Sequence, residues 1–238
     1  AVEELARRLH GQSIIAFDTE FIREKTFYPQ LALIQIADHS ESWLIDPLAL
    51  SKADMAPLLE IFGDPEILKI GHALEQDQEC LHHAFGIVAK PILDTAIAAA
   101  LTGRGDQLGL AVLLRKLLKI KLPKGHTRAD WLRRPLPAAM ATYARGDVDH
   151  LVEAAEILLR DLETEGRREW AMALSALWAD ASRFEPNPDA IATRLANGKH
   201  LDSEEFAVLR ELLSWRERRV RKADLPRRWL AEDALLVK

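Results

Sequence analysis

Three short apolar runs near the start of the chain constrain its fold more than any other feature. Residues 13–18, 31–37 and 41–45 carry the apolar and β-branched side chains of buried strands, and an Asp-His-Ser turn joins the last two runs as a hairpin. Farther along, helical patterns that end at glycine alternate with two more short strands, at 67–70 and 91–93. This order predicts an α/β fold with a mixed sheet flanked by helices.

The second half of the chain is helical by its apolar periodicity. Residues 147–178 form one long amphipathic pattern, and two prolines beyond it predict a linker over 183–200. One further helix is predicted over 201–222 and another near the end of the sequence. Two such helices are too few to bury an independent core. We therefore predict an α/β domain at 1–182, the linker, and at 201–238 a partial all-α C-terminal segment, the start of a longer helical domain.

The composition excludes several classes of protein. The 238 residues are 48% apolar, which suits a globular protein with a core, but no apolar run approaches the roughly 20 residues of a membrane helix. No signal-peptide pattern occurs at Ala1. The single cysteine, Cys80, allows no internal disulfide and no cysteine-based zinc site, and its apolar surroundings predict a small buried side chain. We expect no membrane partner, no disulfide partner and a reducing, cytoplasmic location.

Basic residues are concentrated in two segments of an acidic chain. The formal net charge is −5, yet residues 115–134 hold eight Lys or Arg against one acid, and residues 216–228 hold seven against two. Clustered basic residues are typical of nucleic-acid-binding surfaces. They are equally typical of a solvated helix face, so either run alone supports both interpretations.

Two carboxylates lie at the end of the first predicted strand. Asp18 and Glu20 stand two residues apart in Phe-Asp-Thr-Glu-Phe, so both side chains point to the same face of a strand. Like charges this close repel each other, and oxygen ligands favour Mg²⁺ or Mn²⁺ between them. The same pattern is also common at ordinary solvated strand ends.

A second acidic position follows the fourth predicted strand. Asp77 lies in the first turns of a helix that begins after a glycine turn, where a carboxylate also interacts favourably with the helix dipole. Glu75 and Glu79 flank it, so spacing alone does not select one of the three. His72, in the turn, is consistent both with approach to a site and with simple packing.

A tyrosine and an aspartate share one helix face farther along the chain. Tyr143 and Asp147 are four residues apart, which places both on the same side of a helix. A phenol beside a metal-binding carboxylate can orient a water molecule for attack. A core tyrosine next to a helix-capping aspartate has the same spacing.

Together these motifs resemble the DEDD superfamily of 3′→5′ exonucleases. The stretches AFDTEFIREKTFYPQLALIQI, KIGHALEQDQECL, ILDT, RADWLRRPL and YARGDVDHL are similar to the ribonuclease D subgroup over about residues 12–160. A tyrosine four residues before the last aspartate marks the tyrosine subtype, because the histidine subtype has histidine at the position of Thr142. The later stretch LRELLSWRERRVRKADLPRRWL resembles the opening helices of the helicase-and-ribonuclease-D C-terminal (HRDC) domain.

The resemblance implies a ribonuclease-H-like fold and a metal-dependent exoribonuclease. Two divalent ions, Mg²⁺ or Mn²⁺, would be held by Asp18, Glu20, Asp77 and Asp147. Asp18 would be shared between the ions, and Tyr143 would orient the attacking water. The substrate would be RNA with a free 3′-hydroxyl, transfer-RNA precursors among others, and the products would be nucleoside 5′-monophosphates.

The motifs leave two other functions open. A 3′→5′ DNA exonuclease of the same superfamily carries the same motifs, because the contacts that recognise the RNA 2′-hydroxyl are not visible in them. The other is an inactive RNA-binding scaffold, although all four acids and the tyrosine are present. The predicted RNA contacts are made by one histidine and five basic side chains: His72, Lys124, Arg128, Arg216, Arg218 and Arg219.

Overall fold

Five strands form a single mixed sheet. The structure, a computed structural model, describes residues 1–123 and 129–237. The strands are β1 Ile14–Ile22, β2 Gln30–Ala37, β3 Ser42–Ile45, β4 Leu68–Gly71 and β5 Ile92–Asp94. Their order across the sheet is β3-β2-β1-β4-β5. β4 is parallel to β1 and to β5, whereas β2 and β3 form an antiparallel hairpin, so the predicted mixed α/β sheet is confirmed.

Helices connect the strands and make up most of the remaining chain. Those that surround the sheet are α1 Val2–Leu9, α2 Lys52–Gly63, α3 Glu75–Phe85, α4 Thr95–Leu101, α5 Leu110–Leu118, α6 Ala138–Gly146, α7 Leu151–Thr164 and α8 Arg168–Ala176. The later helices are α9 Pro188–Ala196, α10 Ser203–Ala223, α11 Arg227–Leu230 and α12 Asp233–Leu236. The first three helices contribute to one apolar core, and α4, α5, α7 and α8 contribute to a second.

Side-chain alternation along β1 divides these two cores. Ile15 and Phe17 point into the core shared with α1, α2 and α3, whereas Ile14 and Ala16 point into the core shared with α7. Both cores exclude water almost completely at these positions. The alternation continues past the apolar residues, so the next even-numbered side chains of β1 lie on the α7 side of the sheet.

The predicted long helix over 147–178 is two helices. α7 ends at Thr164 because Gly166 adopts a left-handed conformation with φ of 64°. The backbone N–H of Arg167 donates to the carbonyl of Leu162 at 2.8 Å, and the N–H of Gly166 donates to Glu163 at 3.1 Å. These bonds satisfy the last carbonyls of the helix in the manner of a Schellman motif, which apolar periodicity does not reveal.

The chain divides into two compact units. Ala1–Ile22 and Leu31–Ala181 form the first, and Arg23–Gln30 with Ser182–Lys238 form the second. Within the second unit, the carboxylate of Asp224 accepts hydrogen bonds from the backbone N–H groups of Phe27 and Tyr28, at 2.9 and 3.1 Å. The segment between β1 and β2 is therefore fastened to the end of α10.

Residues 183–200, predicted as a linker, contain α9. Asn187 caps this helix by accepting a hydrogen bond from Ala190, and Pro188 occupies the first turn, where its missing N–H costs no helical bond. Ala192 packs fully buried with α10. The prolines therefore start a helix instead of extending the chain. The remaining domain division, including the start of an HRDC-like domain at 201–238, stays a prediction.

The predicted burial of Cys80 is confirmed, and the structure buries Trp131 as well. Cys80 lies on α3 and is fully buried in the apolar core, where it forms no disulfide. Trp131 is 2% exposed and packs in a small core with Tyr143 of α6. In the part of the chain that the structure describes, every helix is too short or too polar to cross a membrane.

Candidate metal site

β1 carries two carboxylates beyond the point where its pairing with β4 ends. The ladder between these strands runs from Ile14 opposite Leu68 to Ala16 opposite Ile70. Asp18 and Glu20 follow on the same face as Ala16, and both side chains are half-buried. The strand thus leaves its apolar surroundings with two acidic groups aligned on one side.

A third carboxylate reaches these two from the end of α6. The helix ends at Gly146, and Asp147 occupies the C-cap position with its backbone still in the right-handed helical region. One carboxylate oxygen from each of Asp18, Glu20 and Asp147 lies within 4.8 Å of the other two. Residues 18 and 147 are far apart in sequence, so only the fold brings these oxygens together.

Asp77 lies beside this cluster and is held by the backbone of β1. Its Oδ1 atom accepts hydrogen bonds from the N–H of Thr19 at 3.0 Å and from the Thr19 hydroxyl at 2.5 Å. The Thr19 N–H is available because β4 no longer pairs with β1 at this point. Glu75 is exposed, and Glu79 lies 3.8 Å from His83 on the same helix. The geometry therefore singles out Asp77 among the three acids that spacing left open.

The start of α3 depends on Asp94, which ends β5 and also caps α4. Its carboxylate is 1% exposed and accepts the N–H groups of Ala73 at 2.9 Å, Leu74 at 3.0 Å and Ala96 at 2.9 Å. The first of these residues has a φ of 60°, an unfavourable value for a residue other than glycine. Gly71 precedes this turn, and a Cβ atom there would lie 2.0 Å from a methyl carbon of Leu74.

Burial raises the pKa of each carboxyl group in the site, and repulsion from the neighbouring acids raises the pKa values of Asp18 and Glu20 further. Burial, followed by the charges of Asp77 and Asp147, raises the pKa of Asp18 well above its ordinary value. The same causes raise the pKa of Glu20 to about 8. Burial raises the pKa of Asp77 to about 7 and that of Asp147 to about 6. A cation would offset the repulsion and allow all four groups to ionise, so the donor set suits a hard divalent metal.

Tyr143 lies next to the cluster and remains protonated at neutral pH. Its hydroxyl donates a hydrogen bond to Asp147, which favours the ionised form of that carboxylate. Burial, and then the charges of Asp147 and Glu20, raise the pKa of Tyr143 well above its ordinary value near 10. Its ring centroid lies 6.1 Å from that of Trp131. The phenol is therefore placed as a hydrogen-bond donor to Asp147.

The predicted RNA contacts of His72 and Arg216 do not agree with the structure. The two ring nitrogens of His72 lie 2.9 Å from the Thr95 hydroxyl and 2.8 Å from the Leu108 carbonyl, so packing within the fold explains this residue. Arg216 is 1% exposed and bonds Asp233 at 2.7 Å. The side chain points inward from α10 because it joins this helix to the chain around α12, so it is a structural residue.

The other four predicted RNA contacts have different outcomes. Arg218 and Arg219 are exposed on α10 and are accessible to a ligand. Lys124 and Arg128 lie outside the described residues. The structure adds Thr19 and Asp94, which the sequence motifs contained without an assigned role at the site. Thr19 stands between the two acids of β1, and Asp94 belongs to the ILDT stretch.

Carboxylates from the central strand β1 and from the end of α6, with a tyrosine beside them, form the arrangement expected of a metal-dependent exonuclease. A family model described as 3′-5′ exonuclease matches residues 1–163, more than half of the chain, and the chain belongs to this family.

Within this class, the chain is similar to ribonuclease D over almost its whole length. Ribonuclease D of Gluconacetobacter diazotrophicus is 36% identical over 233 residues, which cover 98% of this chain and 59% of that relative. The crystal structure of Escherichia coli RNase D, an exoribonuclease involved in structured RNA processing, matches with a TM-score of 0.89 at 33% identity and covers 99% of this chain and 62% of that one. Brucella melitensis NrnC with bound Mg²⁺ matches with a TM-score of 0.63 at 28% identity, covering 73% and 85%. The chain therefore spans about three fifths of the length of these ribonuclease D relatives.

Proposed function

We propose that this chain carries the catalytic part of a 3′→5′ exoribonuclease. The observation that supports this most directly is the set of carboxylate oxygens of Asp18, Glu20 and Asp147 within 4.8 Å of one another. Three acids held this close in partly buried positions are unfavourable without a cation, and a phosphodiester bound there would need one as well. Similarity to ribonuclease D favours RNA as the substrate.

The proposed metal ligands are Asp18, Glu20 and Asp147, with Asp77 as a fourth. Two divalent ions, Mg²⁺ or Mn²⁺, would neutralise the charge of the scissile phosphate and lower the pKa of the attacking water. The residues of the chain hold the carboxylate ligands in place. The bonds from Thr19 fix the direction of the Asp77 carboxylate, and β1 aligns its two acids on one face.

The proposed role of Tyr143 is to orient the attacking water. Its hydroxyl already donates to Asp147, and the raised pKa of the phenol keeps this proton in place at neutral pH. With this proton donated to Asp147, the phenol oxygen, held by ring packing next to Trp131, can accept a hydrogen bond from a water and hold it at the attacking position without exchanging protons with it. The products would be nucleoside 5′-monophosphates released from a free 3′-hydroxyl end, with transfer-RNA precursors among the substrates.

Paired digestion of RNA and DNA tests this function. Single strands of one sequence, with a 5′ label and a free 3′-hydroxyl, are incubated with the chain in Mg²⁺, in Mn²⁺ and in EDTA. We expect stepwise shortening of the RNA from its 3′ end, with mononucleotide products, and no cleavage in EDTA. Equal or faster cleavage of the DNA would assign the chain to DNA exonucleases instead. RNA binding without cleavage in either metal would favour the inactive scaffold.

A further inference from the structure

The second unit contains a groove with arginines on its walls. It has a volume of about 360 Å³ and is lined by Arg23, Phe27, Arg227 and Arg228 together with Glu24 and others. The lining therefore contains three guanidinium groups and one carboxylate. Arg23, Glu24 and Arg228 are exposed, and the Arg227 side chain is 40% exposed. Such a surface attracts an anionic ligand.

Contacts within the unit fix Arg227 before any ligand arrives. Its Nε atom lies 2.8 and 3.0 Å from the two carboxylate oxygens of Glu217, which is 3% exposed. Its guanidinium carbon stands 4.7 Å from the ring centroid of Phe27. Among the described residues, these contacts occupy the Nε atom and one flat face of the group. The edge with the two terminal amino groups is the part that can meet an anion.

The opposite wall of the groove is fixed as well. Arg23 donates from Nε to the carbonyl of Phe27 at 2.9 Å, and the Asp224 carboxylate accepts a hydrogen bond from the N–H of Phe27 at 2.9 Å. The segment that carries Arg23 is thus tied to the turn that precedes α11. A side chain held in place loses less conformational freedom when it binds, so arginines of this kind bind more tightly than mobile surface lysines.

We propose that this groove binds phosphodiester groups of single-stranded RNA upstream of the cleaved end. The planar guanidinium group matches the geometry of a phosphate, and it is weakly hydrated and always charged. Arg23 is the third residue after Glu20 in sequence, so the covalent chain links the groove to the strand that carries the acids. The inference rests on the proposed exoribonuclease function. It assigns RNA binding to Arg23, Arg227 and Arg228 instead of to the buried Arg216 or to Arg218 and Arg219 on α10.

A comparison of two double variants of the full chain tests the inference. Arg23→Gln with Arg228→Gln removes two charges from the groove, whereas Arg218→Gln with Arg219→Gln removes two exposed charges of α10 elsewhere. The probe is a fluorescein-labelled 12-nucleotide single-stranded RNA, with binding followed by anisotropy in Ca²⁺ across a series of salt concentrations. We expect about a 10-fold weaker affinity for the groove variant, and a slope of log affinity against log salt that is shallower by about 1.4, from two lost phosphate contacts on a single strand.

The affinity of the control variant for RNA should stay within about 2-fold of the wild-type affinity, because exposed charges that do not contact the ligand contribute little. On the same RNA, KM should rise in the groove variant along with its loss of affinity, whereas KM of the control variant should stay near that of the wild type. Equal losses of affinity in the two variants would overturn the groove in favour of a diffuse basic surface. Wild-type binding and cleavage of RNA with no effect of the groove variant would overturn the inference alone. A wild type that neither binds nor cleaves RNA would overturn the proposed function and the inference together.

Single substitutions at Arg228 keep the test independent of folding. Arg228 is exposed, so Arg228→Gln should leave the melting temperature unchanged and still weaken RNA binding by about 3-fold, the size of one modest electrostatic contact. Arg228→Lys keeps the charge but loses the planar fork. We expect it to restore the salt slope and only part of the affinity. Wild-type affinity in both single variants would show that Arg228 does not contact RNA.

Discussion

The acids of the site differ in how strongly the surrounding structure holds them. Asp77 is buried and accepts two hydrogen bonds from Thr19, whereas Glu75, two residues earlier on α3, is exposed. Asp147 is held by the hydroxyl of Tyr143. A carboxylate whose direction is fixed can serve as a metal ligand without reorganisation, which a freely rotating surface glutamate cannot do.

Substitution of the acids separates ligands from bystanders. Asp18→Asn, Glu20→Gln, Asp77→Asn and Asp147→Asn should each reduce turnover of RNA by at least about 100-fold, the scale on which a key electrostatic group acts. Glu75→Gln and Glu79→Gln are the matched controls on α3 and should retain near wild-type turnover. RNA affinity measured by anisotropy should change less than turnover. An active Asp77→Asn beside an inactive Glu75→Gln or Glu79→Gln would refute the assignment of Asp77.

Removal of the Tyr143 hydroxyl should slow the reaction without weakening metal binding. Tyr143→Phe keeps the ring next to Trp131 but removes the hydroxyl. The kcat should therefore fall by about 10–1,000-fold, as for a group that positions a reactant. The metal concentration at half-maximal rate should stay within about 2-fold. Tyr28, the second tyrosine of the chain, provides the control, since Tyr28→Phe removes a hydroxyl bonded to Arg221. An unchanged kcat in Tyr143→Phe would assign this residue to the core alone.

At the scale of elements, the turn between β4 and α3 decides where Asp77 stands. β4 ends at Gly71, where a Cβ atom would overlap Leu74, and the chain then passes through a positive φ at Ala73. The Asp94 carboxylate, at the end of the neighbouring strand β5, satisfies the backbone N–H groups of this turn. Parallel strands bring their carboxyl ends to one edge of the sheet, which is why β5 can hold the start of α3.

Asp94→Asn should disturb this turn and act on the metal site from a distance. The amide keeps one acceptor oxygen but places a donor against the N–H of Leu74 or Ala73. We expect the metal concentration at half-maximal activity to rise about 10-fold, as for loss of a group that orients a ligand, while kcat at saturating metal changes little. Asp38→Asn is the control, because Asp38 is also buried and also accepts turn N–H groups, but in the β2–β3 hairpin. A lower melting temperature in both variants with unchanged metal dependence would mean that Asp94 only stabilises the fold.

At the scale of the whole molecule, the site lowers the stability of the metal-free protein near neutral pH. The folded-state pKa values of Asp147, Asp77 and Glu20 are raised to about 6, 7 and 8, whereas the same groups ionise near pH 4 when the chain is unfolded. The folded state therefore binds more protons than the unfolded state between about pH 4 and 8. The contribution of these groups to stability is complete below about pH 4 and is lost as pH rises through about 6 to 8.

Thermal unfolding across pH measures this contribution. In EDTA, we expect the melting temperature of the wild type to fall from pH 5 to 8 relative to that of Asp147→Asn, which removes one titrating group. The comparison is needed because burial lowers the pKa of His72, and that shift acts in the opposite direction. Mg²⁺ or Mn²⁺ should raise the melting temperature of the wild type, and more at pH 8 than at pH 6, because protons compete with the metal. Parallel pH profiles of the two proteins, with no effect of metal, would contradict a metal site here.

The features of this protein that follow from local pattern could be predicted from its residues alone. The apolar runs over 13–18 and 31–37, together with the alternating helices and strands that follow, predict a mixed sheet. Buried strands are visible in the order of the residues because their side chains are apolar and alternate between two faces. The same alternation placed Asp18 and Glu20 on one face. Gly166 shows where this reasoning stops, since a continuous apolar pattern crosses a left-handed turn that ends α7.

Contacts between polar side chains that are distant in sequence could not be predicted without the folded chain. Spacing does not separate Asp77 from its neighbours on α3, whereas the hydrogen bond from Thr19 does. Arg216 belongs to a basic run in the sequence, but in the structure it is buried against Asp233. Asp94 gave no sign in the sequence of reaching Ala73. These contacts join residues distant in the chain, and hydrogen bonds and charge interactions act over a few ångströms in space, so spacing along the sequence does not encode them.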